Sequence, residues 1–299
     1  QHAEINVAPQ KGWRSYAITR PRRRGFTGYG LASMIGYGRG RHASLAFKRG
    51  RKGHRENRVF GRAQLHYRCQ KTGGDLSVWS AKQKLKEIKT HCPEPGWQTI
   101  DIQVPKDSTR IKLKIDRGQA VVYGMSFELE KSGIIIDDLS ASSLNSWYLA
   151  RLEEKAFQQG LRARNYDLVI VHLGTNMWSG KKHRQASRTV VERIRSALGE
   201  TVSIMLVSPG DAGRPEDKKS FSHRMAKCAK EKRQIADRNR VAFWDYYRAM
   251  GGKGSVLKWR ARRAMSGDLI HPRAVMNRVM WRAFTGEFLA SFRDYLRRT

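Results

Sequence analysis

Long hydrophobic runs, acidic residues and cysteines are all scarce in the 299-residue sequence. No apolar run approaches the roughly 18 residues that a membrane-spanning helix needs. The longest apolar stretches, such as Leu168–Val171, have the length of a strand. The sequence therefore predicts no membrane span.

Cysteine is represented only by Cys69, Cys92 and Cys228, which are too few for a disulfide scaffold and too scattered for a zinc site. Cys69 and Cys92 lie 23 residues apart in a β-rich segment, so one disulfide between them is possible, and Cys228 would then be left over. No pattern indicates a metal site or a cofactor, and we expect neither.

The acidic residues, 26 Asp and Glu, are outnumbered by 59 Lys and Arg, which gives a formal net charge of +33. A disordered basic tail is excluded because 39% of the residues are hydrophobic, enough for a core. The charge indicates an anionic partner, either nucleic acid or an anionic cell-wall polymer or lipid headgroup. Adaptation to an acidic or crowded medium, with no particular partner, is the alternative.

Residues 1–60 hold 14 Lys and Arg against two acids, a local net charge of +12, among many glycines and aromatics. Such a segment either binds a polyanion by charge and stacking or forms a packed, irregular segment pinned by its aromatics. The chain starts at Gln1 rather than Met, as expected of a processed product whose signal peptide has been removed.

The period of the hydrophobic pattern changes twice along the chain. Between residues 64 and 129 apolar and polar residues alternate, as in Ile111–Ile115, with Gly and Pro turns between the runs, which predicts an antiparallel β-sandwich or jelly roll. After Gly133, apolar strands alternate with helical patterns, which predicts an α/β fold with a parallel sheet. The expected strands are 134–136, 167–173, 202–207 and 241–244, and the expected helices are 146–160, 186–198, 222–239 and 274–296.

Two short motifs in this second half carry side chains suited to catalysis. Gly174 and Asn176 follow the strand at 167–171, where the Asn176 amide either stabilises a developing oxyanion or caps the next helix. Asp268 and His271 lie three residues apart in a turn, where the carboxylate can fix the imidazole tautomer as in a serine triad, or cap the backbone instead.

With these motifs the sequence resembles the SGNH (GDSL-type) hydrolase superfamily, which implies a three-layer α/β/α fold with a mostly parallel sheet. Leu173–Asn176 is similar to the block whose Asn donates to the oxyanion, and Asp268–Pro272 to the block that supplies the catalytic Asp and His. Residues 133–143 resemble the second block of the family. In this alignment Ser143 occupies the position of a Gly whose backbone N–H usually donates to the oxyanion. The resemblance also implies that Gly174 and Trp178 contact substrate.

A subgroup of these esterases acts on O-acetylated cell-wall glycans and carries an inserted β-sandwich like a carbohydrate-binding module. By this resemblance, residues 1–60 are the N-terminal part of the SGNH-like domain, 61–131 the inserted sandwich and 132–299 the main α/β domain. Arg24–Gly30 is similar to the Gly-rich segment of that subgroup.

The family's nucleophile block, Gly-Asp-Ser, does not occur in the sequence. Residues 4–10 could be the first strand, with Ala8-Pro9-Gln10 in place of the block, or the chain starts after the block, or the protein lacks it. The nucleophile is therefore unassigned.

Three functions follow. The first is a serine O-acetylesterase acting on acylated cell-wall polysaccharide such as peptidoglycan. The second is a catalytically inactive relative that binds an anionic cell-wall glycan, and the third is a nucleic-acid-associated protein on the same fold. The first two imply a periplasmic, secreted or cell-surface location.

Overall fold

The computed structural model describes residues 5–9, 11–20, 26, 28–49, 62–129, 132–176, 180–214, 219–220 and 222–298. The described residues divide into two compact units. The first unit comprises residues up to 142 together with 151–164, and the second comprises 143–150 together with the residues from 165 onward.

The first unit contains two five-stranded antiparallel sheets. Sheet I has the strand order β1-β4-β9-β6-β7, and sheet II has the order β2-β3-β10-β5-β8. The strands are β1 Ile5–Pro9, β2 Trp13–Ala17, β3 Met34–Arg39, β4 Ser44–Arg49, β5 Arg62–Cys69, β6 Asp75–Ser80, β7 Gln83–Lys89, β8 Gly96–Ile102, β9 Arg110–Arg117 and β10 Gln119–Glu128.

A hydrophobic core joins the two sheets into a sandwich. Every second side chain of β9 is buried, and Ile111, Leu113 and Ile115 enter a core that also contains Leu65 and Val122 from sheet II. This is the alternation expected for strands that are covered on one face. The predicted antiparallel sandwich is present between residues 62 and 128.

The strands between residues 5 and 49 pair inside the same sandwich, although the sequence suggested that 1–60 belongs to the α/β domain. Strand β1 pairs antiparallel with β4, which pairs with β9, and β3 pairs with β10. Ile5–Pro9 is thus a strand, one of the alternatives left open for residues 4–10, but it pairs antiparallel with β4 in the sandwich. The Gly-rich expectation for Arg24–Gly30 falls partly outside the described residues; within it, Tyr29 is fully buried against Phe26.

A disulfide joins Cys69, at the end of β5, to Cys92, with a Cα–Cα distance of 5.6 Å. The disulfide that the sequence left as a possibility is therefore present. Cys228 is a buried free thiol.

Helix α2 (Glu154–Arg164) belongs to the first unit. Ion pairs at both of its ends connect it to the strands and loops of that unit. Arg164 donates to Glu128 at 2.6 Å and to Asp137 at 2.8 Å, and its side chain is only 10% exposed. Arg68 of sheet II donates to Glu153 just before the helix, at 2.8 Å.

The second unit is built on a parallel sheet of three strands in the order β11-β12-β15. Its strands are β11 Leu168–His172, β12 Ser203–Val207 and β15 Ala242–Trp244, and a short hairpin pairs β13 Gly213–Arg214 with β14 Lys219–Ser220. Its helices are α1 Ser146–Leu149, α3 Lys181–Leu198, α4 Ser222–Arg238, α5 Tyr246–Ala249, α6 Ser255–Ala261 and α7 Ala274–Leu296.

Helices contact both faces of β15. Arg233 of α4 lies over the ring of Phe243 at 4.6 Å, whereas the neighbouring Trp244 packs edge-on against Phe284 of α7. Successive side chains of a strand point to opposite faces, so α4 and α7 lie on opposite sides. The fold is therefore mixed α/β, but most of its described strands are antiparallel. A mostly parallel, three-layer sheet remains a prediction.

The expectation of a buried strand at Ile134–Ile136 is wrong. These three side chains are 92%, 60% and 69% exposed, and no strand is formed there. An apolar run is buried only where another element covers it. Within the described residues, no strand pairs with Ile134–Ile136.

Among the described residues, no helix is long and apolar enough to cross a membrane.

Candidate active site

The loops that follow β11 and β12 lie at the carboxyl edge of the parallel sheet, where α/β proteins commonly place their sites. The loop after β11 holds Gly174 and Asn176. The loop after β12 reaches Gly213, whose backbone N–H donates to the carbonyl of Leu269 at 2.9 Å. This bond ties the Asp268–His271 turn to the same edge of the sheet.

Asp268 and His271 form the pair that their spacing predicts. The imidazole Nδ1 lies 2.6 Å from Asp268 Oδ2, and Asp268 Oδ1 accepts the backbone N–H groups of Ile270 and His271, each at 3.0 Å. Ser266 also donates its hydroxyl to Asp268 Oδ1. The carboxylate therefore both caps the turn and orients the imidazole, so the two alternatives raised by the motif occur together.

The pKa of Asp268 lies well below its ordinary range. Partial desolvation raises it, but the hydrogen bonds from Ser266, the imidazole and the two backbone groups together lower it further. The residue is therefore a stable anion that holds a proton on Nδ1 of His271. The opposite nitrogen, Nε2, is then free to accept a proton from an attacking group. The His271 side chain is 76% exposed, so water and substrate can reach it.

The turn is held closed by backbone bonds. Met265 and Pro272 form a β-bridge, and the N–H of Ser266 donates to the carbonyl of His271 at 2.9 Å. Leu269, at the tip, has a left-handed φ of +56° and a buried side chain, which anchors the turn in a small core with Met265 and Met276.

The two expected oxyanion donors come close together in this unit. Asn176 Nδ2 donates to the carbonyl of Leu144 at 3.4 Å, so its amide lies beside the residue that follows Ser143. Ser143 has a left-handed φ of +62°, a conformation that glycine adopts at little cost. This backbone geometry agrees with the alignment of Ser143 to a family glycine, although its role as a donor stays a prediction.

Gly174 has a structural reason to be glycine. Its φ is +141°, and an added Cβ would lie 3.1 Å from both Cys228 Sγ and Pro209 Cδ. The loop after β11 therefore packs directly on α4. Contact of Gly174 with substrate is untested, and the other expected substrate residue, Trp178, lies outside the described residues.

Beneath that loop is a buried polar cluster that the sequence did not reveal. Lys232 of α4 is 1% exposed and donates from Nζ to the carbonyl of Val207, the last residue of β12, at 2.8 Å. Cys228, one helical turn before it, lies 3.6 Å from Nε2 of His183. The i, i+4 spacing of Cys228 and Lys232 in a helix was the available signal, but nothing in it indicated burial.

Burial governs the protonation of this cluster. It lowers the pKa of Lys232 to about 8 and that of His183 to about 4, and it raises the pKa of the Cys228 thiol to about 12. The Cys228 side chain is also fully buried, so a substrate does not reach it, and a thiol that stays protonated is a poor nucleophile.

Within the described part of the chain, no serine hydroxyl hydrogen-bonds Nε2 of His271. Ser266 contacts Asp268 instead, and Ser208, after β12, is fully buried and donates to Asp245 at 3.3 Å. The alternative first strand, Ile5–Pro9, lies in sheet I of the other unit. The nucleophile thus remains unassigned. Nor do the described residues contain a cluster of three or more His, Cys, Asp or Glu side chains that could hold a metal ion.

No protein-family model matches the sequence, and no curated protein sequence matches it. Among solved structures, a peptidoglycan O-acetylesterase is similar over 100% of this chain and 79% of its own, with a TM-score of 0.74 and 17% identity. A catalytic mutant of the acetylxylan esterase Axe2 from Geobacillus stearothermophilus matches 48% of this chain and 67% of its own, with 18% identity. A salicylyl-acyltransferase from a tetracycline biosynthetic pathway matches 96% and 93%, with 13% identity.

The last two similarities have a TM-score of 0.37, too low to carry an argument. The first extends over the whole chain and shows a shared fold. At 17% identity this similarity concerns the fold alone, so the resemblance to SGNH hydrolases remains an inference from the sequence motifs.

Proposed function

We propose that this chain, which has the fold of an SGNH-type esterase, removes acetyl groups from an acetylated polysaccharide such as peptidoglycan outside the cytoplasm. The observation that carries the proposal is the Asp268–His271 pair, 2.6 Å apart and open to solvent at the carboxyl edge of the parallel sheet. The fold shared with a peptidoglycan O-acetylesterase supports the choice of substrate.

In this proposal His271 is the general base. Asp268 holds the Nδ1 proton, and Nε2 takes the proton of the hydroxyl that attacks the acetyl carbonyl carbon. The carbonyl oxygen becomes an oxyanion, which the Asn176 amide and the Ser143 backbone N–H stabilise. When the intermediate collapses, Nε2 returns the proton to the departing sugar oxygen. A single oxyanion donor of this kind typically contributes about 3 kcal/mol to lowering the barrier.

The attacking hydroxyl belongs to a serine or to water, and covalent labelling distinguishes them. A fluorophosphonate probe modifies an activated serine, which also gives a burst of product before steady turnover. Direct attack by water gives neither label nor burst. A labelled peptide would identify the nucleophile residue.

The decisive experiment is hydrolysis of p-nitrophenyl acetate and of O-acetylated peptidoglycan by the full chain. His271→Ala should abolish hydrolysis of both substrates, and Asp268→Asn should reduce it by several orders of magnitude. His223→Ala, at an exposed histidine of α4, is the matched control and should leave the rates unchanged. Equal rates for His271→Ala and the unmodified chain would refute the assignment.

A second candidate is a protein that binds an anionic cell-wall glycan without hydrolysing it. The absence of a Gly-Asp-Ser and of a serine on His271 among the described residues favours it. Binding of purified cell wall that weakens with salt, together with no hydrolysis by the full chain, would establish this function instead.

A further inference from the structure

The outer face of sheet I is the side of that sheet that points away from the sandwich core. Leu113 and Ile115 of β9 enter the core, so the alternate residues Lys112 and Lys114 lie on the opposite face. Strand pairing brings the outward positions of β4, β6 and β7 next to them. The accessible side chains of the outer face include Lys48, Trp79, Lys84, Arg110, Lys112 and Lys114, whereas Ser44, Ala46 and Ser77 on the same side are buried.

Trp79 lies in the middle of this face with lysines on either side. It pairs across the sheet with Lys112 on β9 and Lys84 on β7. The Nζ of Lys114 lies 3.9 Å from the ring centroid and that of Lys84 lies 5.5 Å from it. The indole Nε1–H donates to Ser77 Oγ at 2.8 Å, and this hydrogen bond restrains the ring. An aromatic surface is therefore framed by ammonium groups.

Positive charge is crowded on this face. Arg110, Lys112 and Lys114 occupy alternate positions of one strand, about 6–7 Å apart, and Lys48 lies opposite Arg110. Burial, together with the charges of Lys114 and Arg110, lowers the pKa of Lys112.

The acids on or beside this face already have partners among the described residues. Asp75, which the alternation of β6 places on the side of Ser77 and Trp79, pairs with Arg117. Glu87 pairs with Lys84, and Asp116 accepts a hydrogen bond from Ser77. No ion pair of the described residues engages Lys48, Arg110, Lys112 or Lys114. The basic side chains on this face therefore repel one another. A bound polyanion would reduce this repulsion.

We propose that the outer face of sheet I binds an anionic polysaccharide, with a sugar ring against Trp79 and carboxylates on the surrounding lysines. The apolar C–H face of a pyranose packs well on the electron-rich face of an indole. On binding, the ammonium of Lys114 exchanges its contact with the ring for one with a carboxylate, which uncovers the ring. This inference rests on the proposed function in one respect: the polysaccharide bound by the outer face is the same polymer whose acetyl esters the candidate active site would hydrolyse.

A glycan fits this surface better than a nucleic acid does. Sheets that bind single-stranded nucleic acid stack successive bases on several aromatic side chains. Among the described side chains of the outer face, Trp79 is the one aromatic, and basic side chains surround it. Nucleic acid is therefore the rival outcome of the test.

The test is a titration of the full chain with polygalacturonate, an acidic polysaccharide, at several salt concentrations. Pullulan serves as a neutral glycan, and a short single-stranded DNA serves as the rival ligand. Lys112→Gln/Lys114→Gln and Trp79→Ala should each weaken polygalacturonate binding about tenfold. Lys71→Gln/Lys106→Gln removes the same charge from exposed turns and should change the affinity less than twofold. Trp79→Phe keeps a ring and should retain most of the binding, so it separates loss of stacking from misfolding.

Three results would overturn the proposal: equal weakening by the two lysine pairs, binding of pullulan as tight as that of polygalacturonate, or tighter binding of DNA with the same dependence on Lys112 and Lys114. Hydrolysis of p-nitrophenyl acetate is measured on every variant and should be unchanged. If the chain binds polygalacturonate through this face but hydrolyses no ester, the proposed function fails and the binding surface stands. If the chain hydrolyses esters but the outer-face variants bind polygalacturonate as tightly as the unmodified chain, the binding surface is refuted and the proposed function stands.

Discussion

Lys232 should give the unfolding free energy of this protein a distinctive dependence on pH. Its ammonium group is buried beneath the loop after β11 and donates to the carbonyl of Val207 at 2.8 Å. Burial lowers its pKa from 10.5 to about 8. Replacement by Met keeps the length of the side chain and removes the titrating group.

The size and sign of the effect follow from the two pKa values. Below pH 8 the group is protonated in both the folded and the unfolded chain, and folding must bury its charge. Between pH 8 and 10.5 the unfolded chain holds a proton that the folded chain has lost, so stability rises with pH across this window. With one pKa unit worth about 1.4 kcal/mol, the gain between pH 7 and pH 10 is on the order of 2–3 kcal/mol.

The assay is urea denaturation of the unmodified chain and of Lys232→Met at pH 7, 8, 9 and 10. The difference between the two curves isolates Lys232, because other groups, such as Tyr246 with its raised pKa, titrate equally in both proteins. Lys230→Met, at an exposed position of the same helix, should give no such trend. Curves for Lys232→Met and the unmodified chain that stay parallel within about 0.5 kcal/mol would refute the reasoning.

Further predictions concern individual interactions of the two units. Replacing Cys69 and Cys92 by Ser should lower stability by about 3 kcal/mol, because the disulfide closes a loop with a sequence separation of 23 residues; calorimetry under non-reducing conditions measures the loss. Arg164→Gln should lower the free energy of unfolding by about 3 kcal/mol, because two shielded carboxylates lose their partner. Arg117→Gln, at a side chain that is 81% exposed, should lower it by less than about 0.5 kcal/mol. Equal losses for the two variants in urea denaturation would contradict this contrast. Ser143→Gly should raise stability by up to about 1 kcal/mol by relieving the left-handed backbone and should leave ester hydrolysis intact; a large loss of hydrolysis would assign a role to the hydroxyl.

The parts of the candidate site that the sequence revealed are the parts formed within one turn. Asp268 and His271 are three residues apart, so their contact needs only the local turn, and the structure contains it. Ser143 and Asn176 are separated by two helices and a strand. The role of Ser143 was predicted only from a resemblance to a family, whereas Asn176 was also indicated by its position after a buried strand.

The residues that the sequence did not reveal depend on distant partners. Nothing local distinguishes Lys232 from the exposed lysines of α4, because its burial is decided by the packing of that helix against β12. The same limit explains Ile134–Ile136, where an apolar run predicted a buried strand but no strand of the described residues pairs with it.

The sequence by itself determined the alternation of residues 62–128, the βα order of the second half and the net charge of +33. These are local or additive properties, because the period of a pattern is set by the geometry of a single strand or helix and charges simply sum. Only the tertiary structure decided that strands between residues 5 and 49 join the sandwich, and that part of the charge gathers around Trp79. Strand pairing and the clustering of side chains depend on contacts between residues far apart in the chain, which no local pattern encodes.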